Sequence, residues 1–175
     1  MEKNIILDLD NTLICNNTPR PYLKYFLNFI FEKFDTVSIW TSASKEWLDI
    51  AYINLLKPNM PANKDFFLMW NRDKCKLHYS LLQNNMINVF ECYKELKFVY
   101  SAFHKFKENN TIIVDDKYNM FIKDFQNGIL IEGFYKNKLL DIELYRLTIF
   151  LNNEILNSED VRKIDKINWK IRYNL

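Results

Sequence analysis

Short apolar runs alternate along the chain with longer stretches in which apolar residues recur every three or four positions. Each run predicts a buried strand, because apolar residues stand at consecutive positions. The predicted strands are residues 5–9, 36–40, 66–70, 111–115 and 128–132. Each periodic stretch predicts a helix with one apolar face. The predicted helices are residues 22–33, 47–55, 93–107 and 140–155.

Strands that alternate with helices favour a parallel sheet covered by helices on both faces. We therefore expect a single α/β domain over residues 1–175, with a doubly wound, Rossmann-like sheet of about five strands, a core at about 4–155 and no large cap. Two segments depart from the pattern. Residues 77–90 (LHYSLLQNNMINVF) predict an insertion that forms a flap or a short helix, and residues 158–175 predict a basic, solvated C-terminal helix or tail.

Composition narrows the class of protein. With 175 residues, 49% of them hydrophobic, the chain can bury a full core. A net charge of +2 does not call for a nucleic-acid or membrane partner, and no apolar run reaches the ~20 residues of a membrane span. Two glycines cannot build the glycine-rich phosphate loop of a dinucleotide site or a P-loop. Three cysteines without a C-x-x-C pair favour a reducing compartment, so we expect an intracellular protein of the cytoplasm or nucleus.

Polar side chains lie at or just after the ends of three predicted strands and at the start of one predicted helix. Asp8 and Asp10 end the first strand in NIILDLDNTLI, Thr41 and Ser42 follow the second in SIWTSAS, Asp115 and Asp116 end the fourth in TIIVDD, and Lys94 is predicted to begin the third helix. The carboxyl ends of parallel strands meet at one edge of the sheet. The sequence therefore predicts that four carboxylates, two hydroxyls and one ammonium gather there.

This set of groups has a chemical logic. Two carboxylates ~4 Å apart repel by ~4 kcal/mol at an effective dielectric constant near 20, and oxygen ligands of this kind suit Mg²⁺. One carboxylate can attack phosphorus to form an aspartyl phosphate, and a second can protonate the leaving oxygen. Each feature alone has a plainer interpretation: Asp pairs occur in surface turns, Thr and Ser cap helices, and lysines are usually solvated. The order and spacing of the whole set favour a site.

The chain resembles the haloacid dehalogenase (HAD) superfamily of phosphatases. DLDNTL is similar to the first motif, D-x-D-x-T-L; SIWTSAS, YKEL and IIVDDKYNMF are similar to the second, third and fourth. Within residues 4–155, RPYLKYFL, LMWNRDKC and LLDIELYRLTIFLNN resemble segments of the phosphatases of the RNA polymerase II C-terminal domain. Two features depart from that type: only residues 14–18 separate the first motif from the R-P segment, and the fourth motif reads Asp-Asp rather than Asp-Asn.

The resemblance implies a Mg²⁺-dependent phosphomonoesterase that works through an aspartyl phosphate. Asp8 would be the nucleophile and a metal ligand. Asp10 would offer its backbone carbonyl to the metal and would serve as acid and then as base. Lys94 would neutralise the phospho-aspartate.

The remaining roles concern the phosphate and the metal. Thr41, and with less support Ser42, would bind the phosphate together with Lys94. Asp115 and Asp116 would complete the metal site. The residues alone leave open which of the two carboxylates contacts the metal; the resemblance assigns Asp116 to the metal and Asp115 to Lys94.

An open site without a large cap suits a macromolecular substrate, so a protein that carries phosphoserine or phosphothreonine is the first expectation. A polynucleotide 3′-phosphatase is an alternative, since superfamily members also remove phosphates from nucleic-acid ends. A catalytically inactive HAD-fold scaffold is another alternative. Relatives of that kind tend to lose the first-motif acids, whereas this chain keeps Asp8 and Asp10.

Overall fold

The computed structural model describes residues 2–81, 87–135 and 140–173, without the side chains of residues 77–81 and 87–91. The strands are β1 (Asn4–Leu7), β2 (Ile14–Cys15), β3 (Thr18–Pro19), β4 (Thr36–Trp40), β5 (Met69–Trp70), β6 (Lys76–Leu81), β7 (Ile87–Tyr93), β8 (Thr111–Asp115) and β9 (Gly128–Leu130). The α-helices are α1 (Leu23–Lys33), α2 (Lys45–Ala51), α3 (Lys97–Ala102), α4 (Glu143–Phe150) and α5 (Trp169–Arg172). Turns of π-helix extend α2 and α4 over Tyr52–Leu56 and Leu151–Ile155, and 3₁₀ segments cover Lys57–Asn59, Arg72–Lys74, Tyr118–Asp124 and Val161–Lys163.

In the described part of the chain, five strands form one parallel sheet in the order β5-β4-β1-β8-β9. Because successive side chains of a strand point to opposite faces, Ile5 and Ile6 of β1 enter different layers. Ile5 packs with residues of α1, α2 and α4, and Ile6 packs with residues of α3 and the 3₁₀ segment after β8. Both side chains are fully buried, and burial of one such side chain stabilises the fold by about 1.5–3 kcal/mol. The predicted doubly wound α/β fold is confirmed.

Some elements are shorter than the sequence predicted. Only residues 69–70 of the predicted third strand pair as β5, although Phe67 N still donates to Val37 O at 2.8 Å and so keeps the chain beside β4. The third helix begins at Lys97 rather than at residue 93, because β7 extends to Tyr93. Just before the helix, the Asp124 carboxylate accepts a hydrogen bond from Leu96 N at 2.8 Å. Lys94 therefore precedes the helix, and its predicted place within it is wrong.

The segment at residues 77–90 lies mostly in an antiparallel hairpin. β6 pairs with β7, and Leu77 stands opposite Cys92 in the register. The structure has strands here and not the short helix that was one of two expectations. Residues 82–86, which include Asn84 and Asn85, lie outside the described residues.

The C-terminal segment packs against the β9 edge of the sheet. The side chains of Val161 and Trp169 are buried, and Trp169 Nε1 donates to Leu130 O at 3.0 Å. The Trp169 ring also stacks on Phe150, with 5.4 Å between the ring centroids. Lys166 is buried and donates to the carbonyl oxygens of residues 161 and 164. The described part of this segment therefore packs Val161 and Trp169 against the core, whereas Ile167 and Ile171 are exposed.

Candidate active site

The predicted acids converge where β1 and β8 end. Asp8 follows β1, and its backbone N donates to Val114 O at 2.9 Å, which keeps it beside β8. Asp115 is the last residue of β8 and Asp116 follows it. One carboxylate oxygen from each of Asp8, Asp115 and Asp116 lies within 4.8 Å of the other two. The three carboxylates therefore form a compact cluster, with Asp8 and Asp115 buried and Asp116 half-buried.

Lys94 joins two of these acids. Its Nζ lies 2.6 Å from Asp8 Oδ1 and 2.6 Å from Asp115 Oδ2, and the side chain is fully buried. A backbone hydrogen bond from Lys94 N to Met120 O, at 2.6 Å, fixes where the side chain starts. Burial alone would lower the pKa of Lys94, but the charges of Asp115 and Asp8 raise it above its usual value. The ammonium is therefore held in its charged form between the two carboxylates.

The two acids of the fourth motif differ in surroundings. Both oxygens of Asp115 are engaged: Oδ2 accepts from Lys94 and Oδ1 accepts from Lys117 N at 2.9 Å. Burial, followed by the charge of Asp8, raises the pKa of Asp115 to about 7. The same two causes raise the pKa of Asp116. Lys94 thus contacts Asp115 as well as Asp8.

The donor set fits a hard divalent cation. Asp8, Asp115 and Asp116 bring three carboxylates together, and the Lys94 ammonium contacts two of them. Carboxylate oxygens are hard ligands that bind Mg²⁺ and Ca²⁺ in preference to softer metals. A cation bound there would relieve the repulsion that raises the pKa of the two later acids. The cluster could therefore hold a metal ion.

Asp10 has a partner that the sequence argument missed. Its Oδ1 accepts a hydrogen bond from Trp47 Nε1 of α2 at 2.8 Å. Burial raises the pKa of Asp10, and the bond from Trp47 opposes that rise. From the sequence, Trp47 was expected only in the apolar stripe of its helix. A signal was available, because a partly buried indole N–H usually finds an acceptor.

The hydroxyls after β4 divide into a cap and a candidate ligand. Ser44 caps α2 by accepting from Trp47 N at 3.2 Å, so α2 does not depend on Thr41 for its cap. Thr41 is buried, and its Oγ1 accepts from Ala43 N at 3.1 Å. That contact uses the oxygen as an acceptor and does not use the hydroxyl proton. Ser42 is half-buried beside it.

A buried arginine holds the loop that carries the first motif. Arg20 Nε and one of its terminal nitrogens each donate to Asp141 at 2.9 Å, and neither charged group is exposed. The guanidinium also donates to Thr12 O at 3.1 Å and to Glu132 O at 2.7 Å. Asn11, within this loop, has φ 60, a left-handed conformation that Asn adopts more readily than most residues. Arg20 thus ties the loop to the C-terminal half of the chain.

In the described ranges, none of the helices combines the length and the apolar character needed to cross a bilayer.

Comparisons with known proteins identify the family. The model of the NLI interacting factor-like phosphatase family matches residues 3–162. The ubiquitin-like domain-containing CTD phosphatase 1 of Danio rerio is 30% identical over 178 residues, which is 95% of this chain and 54% of that protein. Its namesake from Rattus norvegicus is 31% identical over 182 residues, which is 97% of this chain and 54% of that protein. The chain therefore spans about half the length of these curated relatives.

A solved structure supports the fold. A core domain from Streptococcus pneumoniae TIGR4, solved by NMR, superposes with a TM-score of 0.53 over 88% of this chain and 98% of that one. The two sequences are 14% identical, so this likeness concerns the fold alone.

Proposed function

The chain belongs to the NLI interacting factor-like phosphatase family, and on that premise we propose that it is a Mg²⁺-dependent phosphomonoesterase that acts on phosphorylated proteins. The observation that carries the proposal is the position of Lys94, which lies 2.6 Å from both Asp8 and Asp115 at the carboxyl edge of the sheet. A lysine buried between acids that would otherwise repel suits a site that repeatedly accepts and releases a dianionic phosphate.

Three carboxylates of the site are available to bind a metal ion. Asp8, Asp115 and Asp116 would hold Mg²⁺, together with the backbone carbonyl of Asp10. When bound, the ion would offset the charge of the acids and of the incoming phosphate. Asp116 is the first choice among the later acids for direct contact with the ion, because both oxygens of Asp115 already have partners.

The chain's own residues would carry the bond changes. An Asp8 oxygen attacks phosphorus, the ester P–O bond breaks, and Asp10 gives its proton to the departing oxygen. Asp10, now ionised, then takes a proton from water, and the resulting hydroxide attacks phosphorus and releases phosphate from Asp8. The raised pKa of Asp10 suits the first of these roles. Lys94 stays beside Asp8 and offsets the charge of the phosphorylated carboxyl.

Two hydroxyls would hold the phosphate oxygens. The Thr41 proton is not used in its contact with Ala43 N and can donate to a phosphate oxygen. Ser42, half-exposed, is the lesser candidate. Lys94 would supply the charged contact that phosphoryl transfer needs in its transition state.

The substrate class follows from the relatives. Those reported above are named CTD phosphatases, and we extend to this chain only the broader class of phosphoserine or phosphothreonine proteins and peptides.

Catalysis is favoured over a scaffold role because the first-motif acids, Lys94 and both later acids are present and, except for the side chain of Asp10, meet in one cluster.

Metal dependence gives the first test of this function. At a Mg²⁺ concentration of about 100 times its dissociation constant, binding to the native state alone stabilises by about 2.7 kcal/mol. For a chain of this size we expect a rise in melting temperature of roughly 5–10 °C. Excess chelator should abolish hydrolysis of p-nitrophenyl phosphate, and Asp116→Asn should remove the thermal shift. Full activity in excess chelator would contradict the metal assignment.

The bond from Trp47 to Asp10 gives a second test. In Trp47→Phe the ring remains but the N–H donor that orients the Asp10 carboxyl is lost, and a displacement of about 1 Å at a catalytic group can lower a rate by about 10²-fold. We expect kcat/KM for a phosphoserine peptide, whose alkoxide leaving group needs a proton, to fall by about 10-fold or more. Hydrolysis of p-nitrophenyl phosphate should fall less, because nitrophenolate leaves without a proton.

The matched control is Tyr52→Phe. Tyr52 lies directly after α2, and its hydroxyl donates to the exposed carboxylate of Asp65 at 2.9 Å. This variant should keep wild-type rates on both substrates. Equal losses on the two substrates in Trp47→Phe would indicate that Trp47 only supports the local structure.

A further inference from the structure

Two of the three cysteines lie side by side in the hairpin. Cys75 directly precedes β6, and Cys92 lies in β7 opposite Leu77. Because side chains alternate along a strand, Cys75, two residues before Leu77, lies on the same hairpin face as Cys92. Each thiol shifts the pKa of the other, and both are partly exposed. The two cysteines are therefore diagonal neighbours on one face, where a backbone adjustment can bring the sulfurs to bonding distance, and the mechanism above does not use them.

The cysteine pair also borders the proposed phosphate site. The Cys75 thiol donates to Thr41 O, with 3.8 Å between the sulfur and the oxygen. Cys92 interacts with the Ser42 side chain and lies two residues before Lys94. A covalent change in the pair would thus act on both the phosphate-binding loop and the segment that places Lys94.

The two thiols differ in reactivity. The neighbouring Cys75 thiol, with help from the charge of Lys94, lowers the pKa of Cys92 to about 6. The Cys92 thiol, together with burial, raises the pKa of Cys75. The thiolate is the form of cysteine that reacts with peroxides. Cys92 is thus suited to react first, and Cys75 is the neighbouring thiol that can attack the oxidised Cys92 once it gives up its proton.

We propose that Cys75 and Cys92 form a reversible disulfide in the presence of hydrogen peroxide, and that this bond suppresses the phosphatase activity. The Cys92 thiolate attacks one peroxide oxygen, the O–O bond breaks, and the hydroxide that leaves takes up a proton to become water. Cys75 sulfur then attacks the sulfenic sulfur of Cys92, the S–O bond breaks, and the hydroxyl group leaves with the Cys75 thiol proton as a second water. The two sulfurs lose two electrons in total and the peroxide gains them. A dithiol reverses the bond by exchange.

We expect the disulfide to lower the activity because it moves the backbone near Thr41 and Lys94. A disulfide brings the two sulfurs to about 2.05 Å, and Cys75 loses the proton that it donates to Thr41 O. The backbone next to Lys94 must then shift. This shift would disturb the two 2.6 Å contacts of Lys94 Nζ with Asp8 and Asp115. A displacement of about 1 Å at a catalytic group can lower a rate by about 10²-fold. Only this inhibitory part rests on the proposed function; formation of the disulfide does not.

The experiment treats the reduced protein with hydrogen peroxide, alkylates free thiols and maps the linked peptides by mass spectrometry. We expect a Cys75–Cys92 linkage, a loss of phosphopeptide hydrolysis of about 10-fold or more, and recovery with dithiothreitol. Cys92→Ser should stay active in peroxide. Cys75→Ser should accumulate sulfenic acid at Cys92 that dimedone traps. The control Cys15→Ser, which alters a buried cysteine outside the pair, should behave as the wild type.

Three results would overturn the proposal: absence of the linkage, a linkage that leaves activity unchanged, or equal inactivation in Cys92→Ser. If the reduced wild-type protein forms the linkage on oxidation but never hydrolyses a phosphopeptide, the proposed function fails and the disulfide itself is supported. Circular dichroism and melting temperature of each Ser variant confirm that the loss of linkage does not come from unfolding.

Discussion

Replacing Asp8 by Asn is expected to lower kcat by at least about 10⁴-fold on every phosphomonoester, which is in the range seen when other enzymes lose a nucleophile. The amide keeps the shape of the carboxylate but cannot form an acyl phosphate. It also removes one of the two charges that Lys94 contacts at 2.6 Å. Steady-state assays with p-nitrophenyl phosphate and with a phosphoserine peptide measure the loss.

The control for this change is Asp65→Asn. Asp65 is exposed and contacts Tyr52 and Lys57, so its variant should keep wild-type rates. The Asp8→Asn protein should retain its circular dichroism spectrum and a cooperative unfolding transition. Residual activity above about 1% of the wild type in a folded Asp8→Asn protein would contradict the nucleophile assignment.

Replacing Arg20 by Met is expected to lower the free energy of unfolding by about 3–5 kcal/mol. The substitution leaves the buried Asp141 carboxylate without its ion-pair partner. It also removes the donors to Thr12 O and Glu132 O. Urea denaturation followed by circular dichroism measures the change.

Two further variants serve as controls for this prediction. Lys45→Ala removes an exposed ion pair with Asp49, where the side chains are 68% and 51% exposed, and should change the stability by at most about 0.5 kcal/mol. The double variant Arg20→Met/Asp141→Leu should lose less than Arg20→Met, because it leaves no unpaired buried charge. A loss below about 1 kcal/mol in Arg20→Met would contradict the role given to this ion pair.

The sheet was predictable because its signal is local. Strands buried on both faces of a parallel sheet appear as nearly continuous apolar runs. β1 and β8 contain three consecutive apolar residues each, and in β4 only Ser38 separates Val37 from Ile39 and Trp40. The convergence of Asp8 with Asp115 followed from a general property of parallel sheets, whose strand ends share an edge. No knowledge of individual contacts was needed for either inference.

The hairpin was missed although its signal was present. In the stretch LHYSL, apolar and polar residues alternate at every position from Leu77 to Leu81, which is the pattern of a strand with one apolar face. The polar residues that follow, Asn84, Asn85 and Asn88, favoured an insertion rather than a second strand. The error in the third helix has the same origin, because β7 extends to Tyr93 and occupies the start of the predicted helix.

The long-range partners were beyond the sequence argument. Arg20 pairs with Asp141 across 121 positions, and Trp47 reaches Asp10 across 37. No periodicity or motif specifies which polar groups pair at such separations; the pairing depends on how the layers pack. The buried Trp169 in a charged segment is a similar case, since its indole bonds to Leu130 O only once β9 is formed.

The most direct test of Asp8 as the nucleophile is to locate the phosphoryl group on the protein during turnover. The protein is mixed with Mg²⁺ and a phosphoserine peptide, quenched within one turnover and treated with borohydride, which reduces an acyl phosphate to an alcohol and so converts a phosphorylated aspartate to homoserine. Peptide mass spectrometry then reads the modified position. We expect homoserine at position 8, and none when the phosphopeptide is omitted. Peptide hydrolysis without modification of Asp8, or with homoserine at Asp10, Asp115 or Asp116 instead, would contradict it.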